Sequence, residues 1–353
     1  MTPLKKLLHK FDELNIDAVI LFDEINQYYF SKYKFSDGVL LLTRKTNYLI
    51  TDFRYSEDAA SKVKEDFEIV APKSQLEFIC DVLKENNIKR LGFEDDTLSY
   101  ARYKRLSEKF SIDMYGISST IFELRTVKDE SEIEKITRAQ ELTDKAFSHV
   151  LNIITPDITE TELALEIELF MRKNGAEGIA FDTIAVSGSA SSLPHGVPRN
   201  IALQRGFLTL DFGAKFDGYC SDMTRTVSVG KATEEMKKIY KTVLEAQRLG
   251  LEKIKEGELC SEVDKASRDF IESSGYKGCF GHSLGHGVGL YIHENPRLSM
   301  NYKTPLKAGN VVTVEPGIYI NGKCGCRIED MVLVTKDAYL NFTKSEKDLI
   351  ELF

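Results

Sequence analysis

The feature that most constrains the fold is the placement of acidic residues inside apolar, strand-like runs. In LTLDFGAKFDGYCSDMTRTVSV (residues 208–229), Asp211 and Asp222 stand on either side of an Asp-Gly pair, which is a hairpin-turn signal. If the turn centres on Phe216 and Asp217, the two aspartates lie directly opposite each other, with Cβ atoms about 4.5–5.5 Å apart. Like charges repel at that distance, so the pattern predicts a bound cation or a raised carboxyl pKa. A hairpin shifted by one residue, with both aspartates in solvent, remains the alternative.

Two further acids occupy equally unusual positions. Glu315 ends the β-branched run of NVVTVEPGIYI, directly before Pro-Gly. In RIEDMVLV, Arg327 and Glu329 share one face of a strand, while Ile328 and Asp330 take the other. A glutamate on a buried strand is costly unless its charge is paired or bound to a metal. The two glutamates are therefore candidate metal ligands.

Three of the six histidines fall in one stretch, GHSLGHGVGLYIHENP: His282, His286 and His293. One of them would complete a five-ligand set that contains one imidazole and the acids Asp211, Asp222, Glu315 and Glu329. Such a set is more than one ion needs. It fits two divalent ions about 3.5–4 Å apart, which share bridging carboxylates and lower the pKa of a bound water. Oxygen-rich ligation favours Mn²⁺, with Co²⁺, Zn²⁺ or Fe²⁺ as alternatives.

Composition narrows the range of partners. At 353 residues, the chain is long enough for about two domains. Its formal net charge of -8 argues against a nucleic-acid or anionic-membrane partner, because phosphate binding needs a basic face. The longest apolar runs, such as Ala18–Phe22 and Val39–Leu42, are strand-sized and too short to span a bilayer. The six cysteines are scattered, as is typical of free thiols, and the sequence predicts a cytoplasmic protein.

The first third of the chain and the remainder differ in pattern. In the first third, short apolar runs alternate with helical patterns such as Leu4–Leu14 and Ser56–Glu65, which is typical of an α/β domain. The charged segment TVKDESEIEKI then marks a boundary and opens a long helix, with Asp129 and Glu132 at capping-box spacing.

Four motifs, taken in order, resemble a known family. LDFGAKFDGYCSDMTRT, GHGVGLYIHE, TVEPGIY and RIED resemble the C-terminal domain of the proline-specific metallopeptidases. These are the Xaa-Pro aminopeptidases and Xaa-Pro dipeptidases, which share the pita-bread fold with methionine aminopeptidase. The segment NIDAVILFDEINQYYFSKY resembles their creatinase/prolidase N-terminal domain. The resemblance implies an α/β domain at residues 1–125 and an α+β pita-bread catalytic domain at residues 126–353.

Matched residue by residue, the resemblance implies a role for each candidate. Asp211 would chelate one metal ion, and His286 with Glu315 would bind the other. Asp222 and Glu329 would be the two bridging carboxylates. Glu315 would be the catalytic proton shuttle. His293 and His195 would be the catalytic histidines that stabilise the oxyanion. The remaining two residues would bind substrate in the cleft: His282 and Arg327.

The implied reaction is hydrolysis of the bond between an N-terminal residue and a following proline. The short chain and compact N-terminal domain favour an Xaa-Pro aminopeptidase over the alternative, an Xaa-Pro dipeptidase. A metal-free binding module on the same fold is the alternative of another class. The partner is then a peptide with proline at its second position, and the family resemblance implies a homodimer.

Overall fold

The computed structural model describes residues 1–63 and 66–353, in which the chain divides into two compact units, Met1–Arg125 and Thr126–Phe353. We refer to them as unit 1 and unit 2. The last two positions of the helix predicted near Ser56–Glu65 lie outside the described residues. Within the described ranges, no helix is long and apolar enough to cross a membrane.

Unit 1 is built on one sheet, in which the strands that the structure describes follow the order β4-β3-β2-β1-β5-β6. These strands are β1 (Ala18–Leu21), β2 (Val39–Thr43), β3 (Asn47–Ile50), β4 (Glu68–Val70), β5 (Arg90–Phe93) and β6 (Asp113–Gly116). Every residue of β1 is buried, and β1 pairs antiparallel with β2 and parallel with β5. Its unbroken apolar run fits this central position, because both faces of the strand are covered.

Helices alternate with these strands and supply the rest of the core of unit 1. They are α1 (Pro3–His9), α2 (Phe11–Leu14), α3 (Glu24–Ser31), α4 (Phe53–Lys62), α5 (Gln75–Glu85), α6 (Tyr100–Phe110) and α7 (Ser118–Thr126). Apolar side chains of α5 and α6, including Ile79, Val82 and Leu106, pack in one cluster with Ile20 and Leu41 of the sheet. The predicted α/β plan of the first domain is confirmed.

Unit 2 contains two helix pairs, each packed on a sheet whose strands pair antiparallel, except that the last strand of the chain pairs parallel with its neighbour in the first sheet. The first pair is α8 (Glu130–Ile153) and α9 (Glu160–Lys173). Both helices begin with capping boxes, Asp129 with Glu132 as predicted and Thr159 with Glu162. This pair shares an apolar cluster with β8 (Ile184–Ser187), β9 (Gly206–Phe212), β12 (Met223–Val229) and β20 (Glu351–Leu352). These strands form one sheet in the order β20-β12-β9-β8, beside a small sheet of β7 (Gly178–Ile179), β10 (Ala214–Phe216) and β11 (Tyr219–Cys220).

The second pair is α10 (Glu234–Glu252) and α11 (Cys260–Ile271), and a short π-helical segment, Glu272–Tyr276, extends α11. The pair packs on a sheet with the order β14-β13-β15-β18-β19. Its strands are β13 (Gly285–Gly287), β14 (Glu294–Leu298), β15 (Val311–Val314), β18 (Asp330–Val334) and β19 (Tyr339–Asn341). The hairpin of β16 (Gly317–Ile320) and β17 (Cys324–Arg327) lies between β15 and β18 in the chain.

The hairpin that carries the two aspartates has a different register from the one considered above. Its turn centres on Asp217 and Gly218, whose φ angles are 43° and 84°, so the opposed pairs are Phe216 with Tyr219 and Asp211 with Thr224. A two-residue turn of this kind needs positive φ at both positions, which Asp and Gly adopt readily and Phe does not. The prediction that Asp211 and Asp222 lie directly opposite each other is therefore wrong.

Candidate metal centre and substrate cavity

A cavity of about 500 Å³ opens in unit 2. Its volume is in the range of small-ligand sites. The structure brings every candidate that the sequence predicted to the wall of this cavity: Asp211, Asp222, Glu315, Glu329, His195, His282, His286, His293 and Arg327. The wall also contains apolar residues (Phe181, Ile184, Pro194, Val197 and Ile292), as well as Asp182, Ser283 and Arg297.

The four-stranded and the five-stranded sheets of unit 2 each supply carboxylates to the cavity. Asp211 lies in β9 and Asp222 directly precedes β12, so both come from the first sheet. Glu315 follows β15 and Glu329 precedes β18, so both come from the second. His286 lies in β13. Its Nδ1 is 3.0 Å from the Gly287 carbonyl oxygen, and this contact orients the ring so that Nε2 faces the acids. A ring held in this way is typical of a metal-binding histidine.

Distances within this group are short. His286 Nε2 lies 3.4 Å from Asp222 Oδ2 and 3.5 Å from Glu315 Oε1. Asp222, His286 and Glu329 each offer one ligand atom, and these three atoms lie within 4.8 Å of one another. Three such donors around one point can bind one cation.

The electrostatics of the acids also fit cations. Burial, followed by the charges of Glu329, Asp211 and Glu315, raises the pKa of Asp222 well above its ordinary value. Burial likewise raises the pKa of Glu329 well above its ordinary value, and that of Glu315 to about 8. Asp211 Oδ1 is buried, and the described residues offer it no hydrogen-bond donor. Divalent cations would remove both costs, because they pair the charges and coordinate the oxygen left without a donor.

Arg327 connects several of these groups. It is 3% exposed, and its guanidinium donates to Asp211 Oδ2 at 2.5 Å, to the Tyr319 hydroxyl at 2.6 Å and to Thr224 Oγ1 at 3.0 Å. The Tyr319 hydroxyl in turn lies 3.0 Å from His282 Nε2. The contacts of Arg327 are therefore with the carboxylate group and its supports, while its contact with substrate stays a prediction.

Thr224 supports Glu329 from behind. Its hydroxyl donates to Glu329 Oε2 at 2.7 Å and accepts from Arg327 Nε, so it fixes one oxygen of the carboxylate. Partners of this kind orient a ligand and set its basicity.

Replacing Thr224 by valine should lower the affinity for divalent metal about 10–100-fold, because valine keeps the shape of threonine but cannot donate to Glu329. Titration calorimetry of metal-stripped protein with Mn²⁺ measures this affinity. Thr242→Val is the matched control, since it removes a hydroxyl that donates to the Lys238 carbonyl inside α10. Equal affinities of the Thr224 variant and the wild type would show that this hydroxyl does not hold the carboxylate.

Two histidines beside the acids, His282 and His293, have lowered pKa values. Burial, followed by the charge of Arg327, lowers the pKa of His282 to about 4. Burial, followed by Arg297, lowers the pKa of His293, whose ring packs against His286 with centroids 4.4 Å apart at 81°. His195 is exposed where it lines the cavity. The rings of His282 and His293 can therefore donate or accept a hydrogen bond at neutral pH without adding charge to the cavity.

Arg297 was missed in the sequence. It lies in β14 opposite His286, and it faces the cavity with no ion pair or hydrogen bond to any residue that the structure describes. The available signal was its position four residues after His293 in HENPR, although an arginine on a strand is usually a solvated surface residue. A guanidinium with no partner inside a cavity is suited to binding a carboxylate of a ligand.

Two family models match the chain. The description "Metallopeptidase family M24" fits residues 134–336, which contain all nine predicted site residues. The chain belongs to metallopeptidase family M24. A second model, "Creatinase/Prolidase N-terminal domain", fits residues 3–127. The resemblance to the proline-specific metallopeptidases is thereby confirmed, as is the prediction of an α/β N-terminal domain joined to an α+β pita-bread domain.

Individual M24 relatives match over nearly the whole chain. An Xaa-Pro dipeptidase of Pyrococcus furiosus is 40% identical over 358 residues, which cover 98% of this chain and 99% of that relative. A solved structure of an Xaa-Pro dipeptidase from Bacillus anthracis is 43% identical, with a TM-score of 0.96 and 99% of each chain covered. A solved X-Pro aminopeptidase from Thermotoga maritima is 37% identical, with a TM-score of 0.92, covering 97% of this chain and 100% of that one.

Proposed function

We propose that this M24 peptidase is an Xaa-Pro dipeptidase, which splits a dipeptide whose second residue is proline. The sequence ranked an aminopeptidase first, but the relatives support the alternative better. Relatives from Pyrococcus furiosus and Bacillus anthracis, at 40% and 43% identity, are both named Xaa-Pro dipeptidases. The aminopeptidase remains the second candidate because the Thermotoga maritima structure bears that name.

The observation that carries the proposal is Arg297. A dipeptide ends directly after its proline, so its C-terminal carboxylate enters the same cavity as the scissile bond. Arg297 lines that cavity, and it makes no salt bridge with any acidic residue that the structure describes. A longer peptide would instead present a neutral amide at this point. The arginine therefore favours substrates that end at proline.

The metal centre is proposed to use the five predicted ligands. Asp211 would bind one divalent ion, Asp222 and Glu329 would bridge, and His286 and Glu315 would bind the other. When bound, such ions supply an activated water and polarise the substrate carbonyl. Mn²⁺ is the expected ion, because four of the five ligands are carboxylates.

Glu315 is the proposed proton shuttle. Its Oε1 lies 3.5 Å from His286 Nε2 on the cavity wall, so the carboxylate stands where the ions and the substrate carbonyl would meet. The prolyl nitrogen of an X-Pro bond carries no hydrogen, so it needs a proton in order to leave as an amine. Glu315 would take that proton from the attacking water and deliver it to the nitrogen.

His293 and His195 are the proposed donors to the carbonyl oxygen as negative charge develops on it. The lowered pKa of His293 keeps its imidazole neutral, so it can stabilise the oxyanion by a hydrogen bond. His282 and Arg327 would line the substrate cleft, and the apolar walls from Phe181, Ile184 and Ile292 fit the proline ring or its preceding side chain.

Turnover by metal-stripped protein, with and without Mn²⁺, on Ala-Pro and on Ala-Pro-Ala tests the proposal. Metal-dependent release of alanine from Ala-Pro alone is the expected result. Release from the tripeptide as well would make the chain an aminopeptidase. If neither peptide is cleaved and Mn²⁺ does not bind, the metal-free binding module becomes the better description. The predicted homodimer and cytoplasmic location stay predictions.

A further inference from the structure

A buried ion pair joins Lys128 to Glu294, the residue that directly follows His293. Lys128 Nζ lies 3.2 Å from Glu294 Oε2, and the two side chains are only 1% and 7% exposed. Such a pair adds little to stability, because removing both charges from water costs about as much as their attraction returns. Because Glu294 directly follows His293, the ion pair is placed to act on the site instead.

The Glu294 carboxylate closes the loop between β13 and β14. Its Oε1 accepts from the Tyr291 backbone N–H at 3.1 Å. It also lies against the backbone of Gly289, where an added Cβ would stand 2.6 Å from Glu294 Oε2. The Gly289 carbonyl oxygen in turn accepts from the backbone N–H of Cys220 at 2.8 Å. The carboxylate is therefore enclosed by its own loop.

Lys128 is itself fixed at the backbone. Its N–H donates to the Gly309 carbonyl oxygen at 2.9 Å. Two residues earlier, the Thr126 carbonyl oxygen accepts from the Asn310 side-chain amide at 3.0 Å. Because Asn310 directly precedes β15, Lys128 is tied to the sheet that supplies Glu315. The ion pair thus fixes the end of the loop relative to that sheet.

His293 depends on this backbone for its orientation. Its ring packs edge-on against His286, but no hydrogen bond from the part of the chain that the structure describes orients the imidazole. The position of its nitrogens therefore follows from where residues 293 and 294 lie.

We propose that Lys128 and Glu294 are positioning residues for His293, an inference that rests on the dipeptidase function proposed above. The pair holds the loop so that the imidazole meets the carbonyl oxygen of the substrate as charge develops. It acts on the transition state and not on the ground state, so its loss lowers kcat and leaves KM nearly unchanged.

A double-mutant cycle tests this. Lys128→Met should lower kcat on Ala-Pro roughly 100-fold at saturating Mn²⁺, the usual loss for a misplacement of about 1 Å. In a His293→Gln background, the same substitution should cost almost nothing further, because the group that it positions is already gone. Lys128→Arg, which keeps the charge, should retain more activity than Lys128→Met. Lys265→Met, which breaks an exposed pair with Asp269, is the matched control and should leave kcat unchanged.

Losses that multiply in the double variant would overturn the proposal, as would a fall in kcat accompanied by an equal fall in Mn²⁺ stoichiometry. If Lys128→Met does not fold, the same cycle is run with Glu294→Gln. Ring position is a readout that needs no turnover: the NMR cross-relaxation between the ring protons of His286 and His293, whose centroids lie 4.4 Å apart, should weaken in metal-free Lys128→Met and persist in Lys265→Met. Unchanged cross-relaxation in Lys128→Met would contradict the positioning role. Lack of Ala-Pro hydrolysis by the wild type would instead contradict the proposed function.

Discussion

Replacing Asp222 by asparagine should abolish dipeptide hydrolysis and at the same time stabilise the metal-free protein. Activity should fall roughly 10³-fold or more, because the variant loses one of the two bridging carboxylates on which metal-assisted hydrolysis depends. Stability should rise because burial, followed by the repulsion of Glu329, Asp211 and Glu315, raises the pKa of Asp222 well above its ordinary value. A neutral amide of the same shape removes that repulsion.

The two halves of this prediction are measured separately. Turnover and bound Mn²⁺ are measured after metal loading, and thermal unfolding is followed in chelator at pH 9, where the acids are most ionised. An increase in unfolding temperature of about 2–4 °C corresponds to about 1 kcal/mol for a unit of this size. Asp269→Asn on the surface of α11 is the control and should change neither quantity. A metal-free Asp222→Asn protein that melts below the wild type would refute the view that the acids repel one another.

Replacing Arg297 by glutamine should lower kcat/KM for Ala-Pro about 10–100-fold, since a charge-assisted hydrogen bond contributes roughly 1.5–3 kcal/mol. The loss should appear mainly in KM, because the C-terminal carboxylate is charged in both the ground state and the transition state. Arg297→Lys should recover part of it, as the charge returns without the bidentate geometry.

A substrate without the carboxylate separates this role from a general one. On Ala-Pro-amide, the wild type and Arg297→Gln should be equally slow, so the variant loses its preference for the free acid. Arg138→Gln, which removes an exposed arginine paired with Glu141, should behave as the wild type on both substrates. Equal losses on acid and amide would show that Arg297 supports the cavity without binding the carboxylate.

The parts of the molecule that were predicted correctly rest on local rules. The capping box predicted at Asp129 and Glu132 is present, because an N-cap and a glutamate three residues later meet within one turn. Two local predictions were wrong. The hairpin turn centres on Asp217 and Gly218, which adopt positive φ, so Asp211 lies opposite Thr224 and not opposite Asp222. The helix predicted at Leu4–Leu14 is two helices, which meet at Lys10.

The features that the sequence did not predict depend on contacts between distant residues. Lys128 and Glu294 are 166 residues apart, and neither stands out by its spacing. Arg297 becomes notable only when the structure shows that it lines the cavity without a salt bridge to any acidic residue of the described chain. The carboxylates themselves could be identified, because acids inside apolar strands violate the usual pattern of burial. Unusual residues were therefore visible in the sequence, whereas ordinary residues in unusual surroundings were not.

The cluster of buried acids also has a consequence for how duplicated copies of this protein evolve. Asp222, Glu315 and Glu329 are maintained only while hydrolysis is under selection, because burial raises the pKa of each and the folded chain should gain stability when one of them is exchanged for a neutral side chain. In a duplicated copy released from that selection, random drift and selection for stability act in the same direction at these positions. The acids are then expected to be replaced early, while the two sheets that bear them persist. The architecture should therefore outlast its chemistry in such lineages.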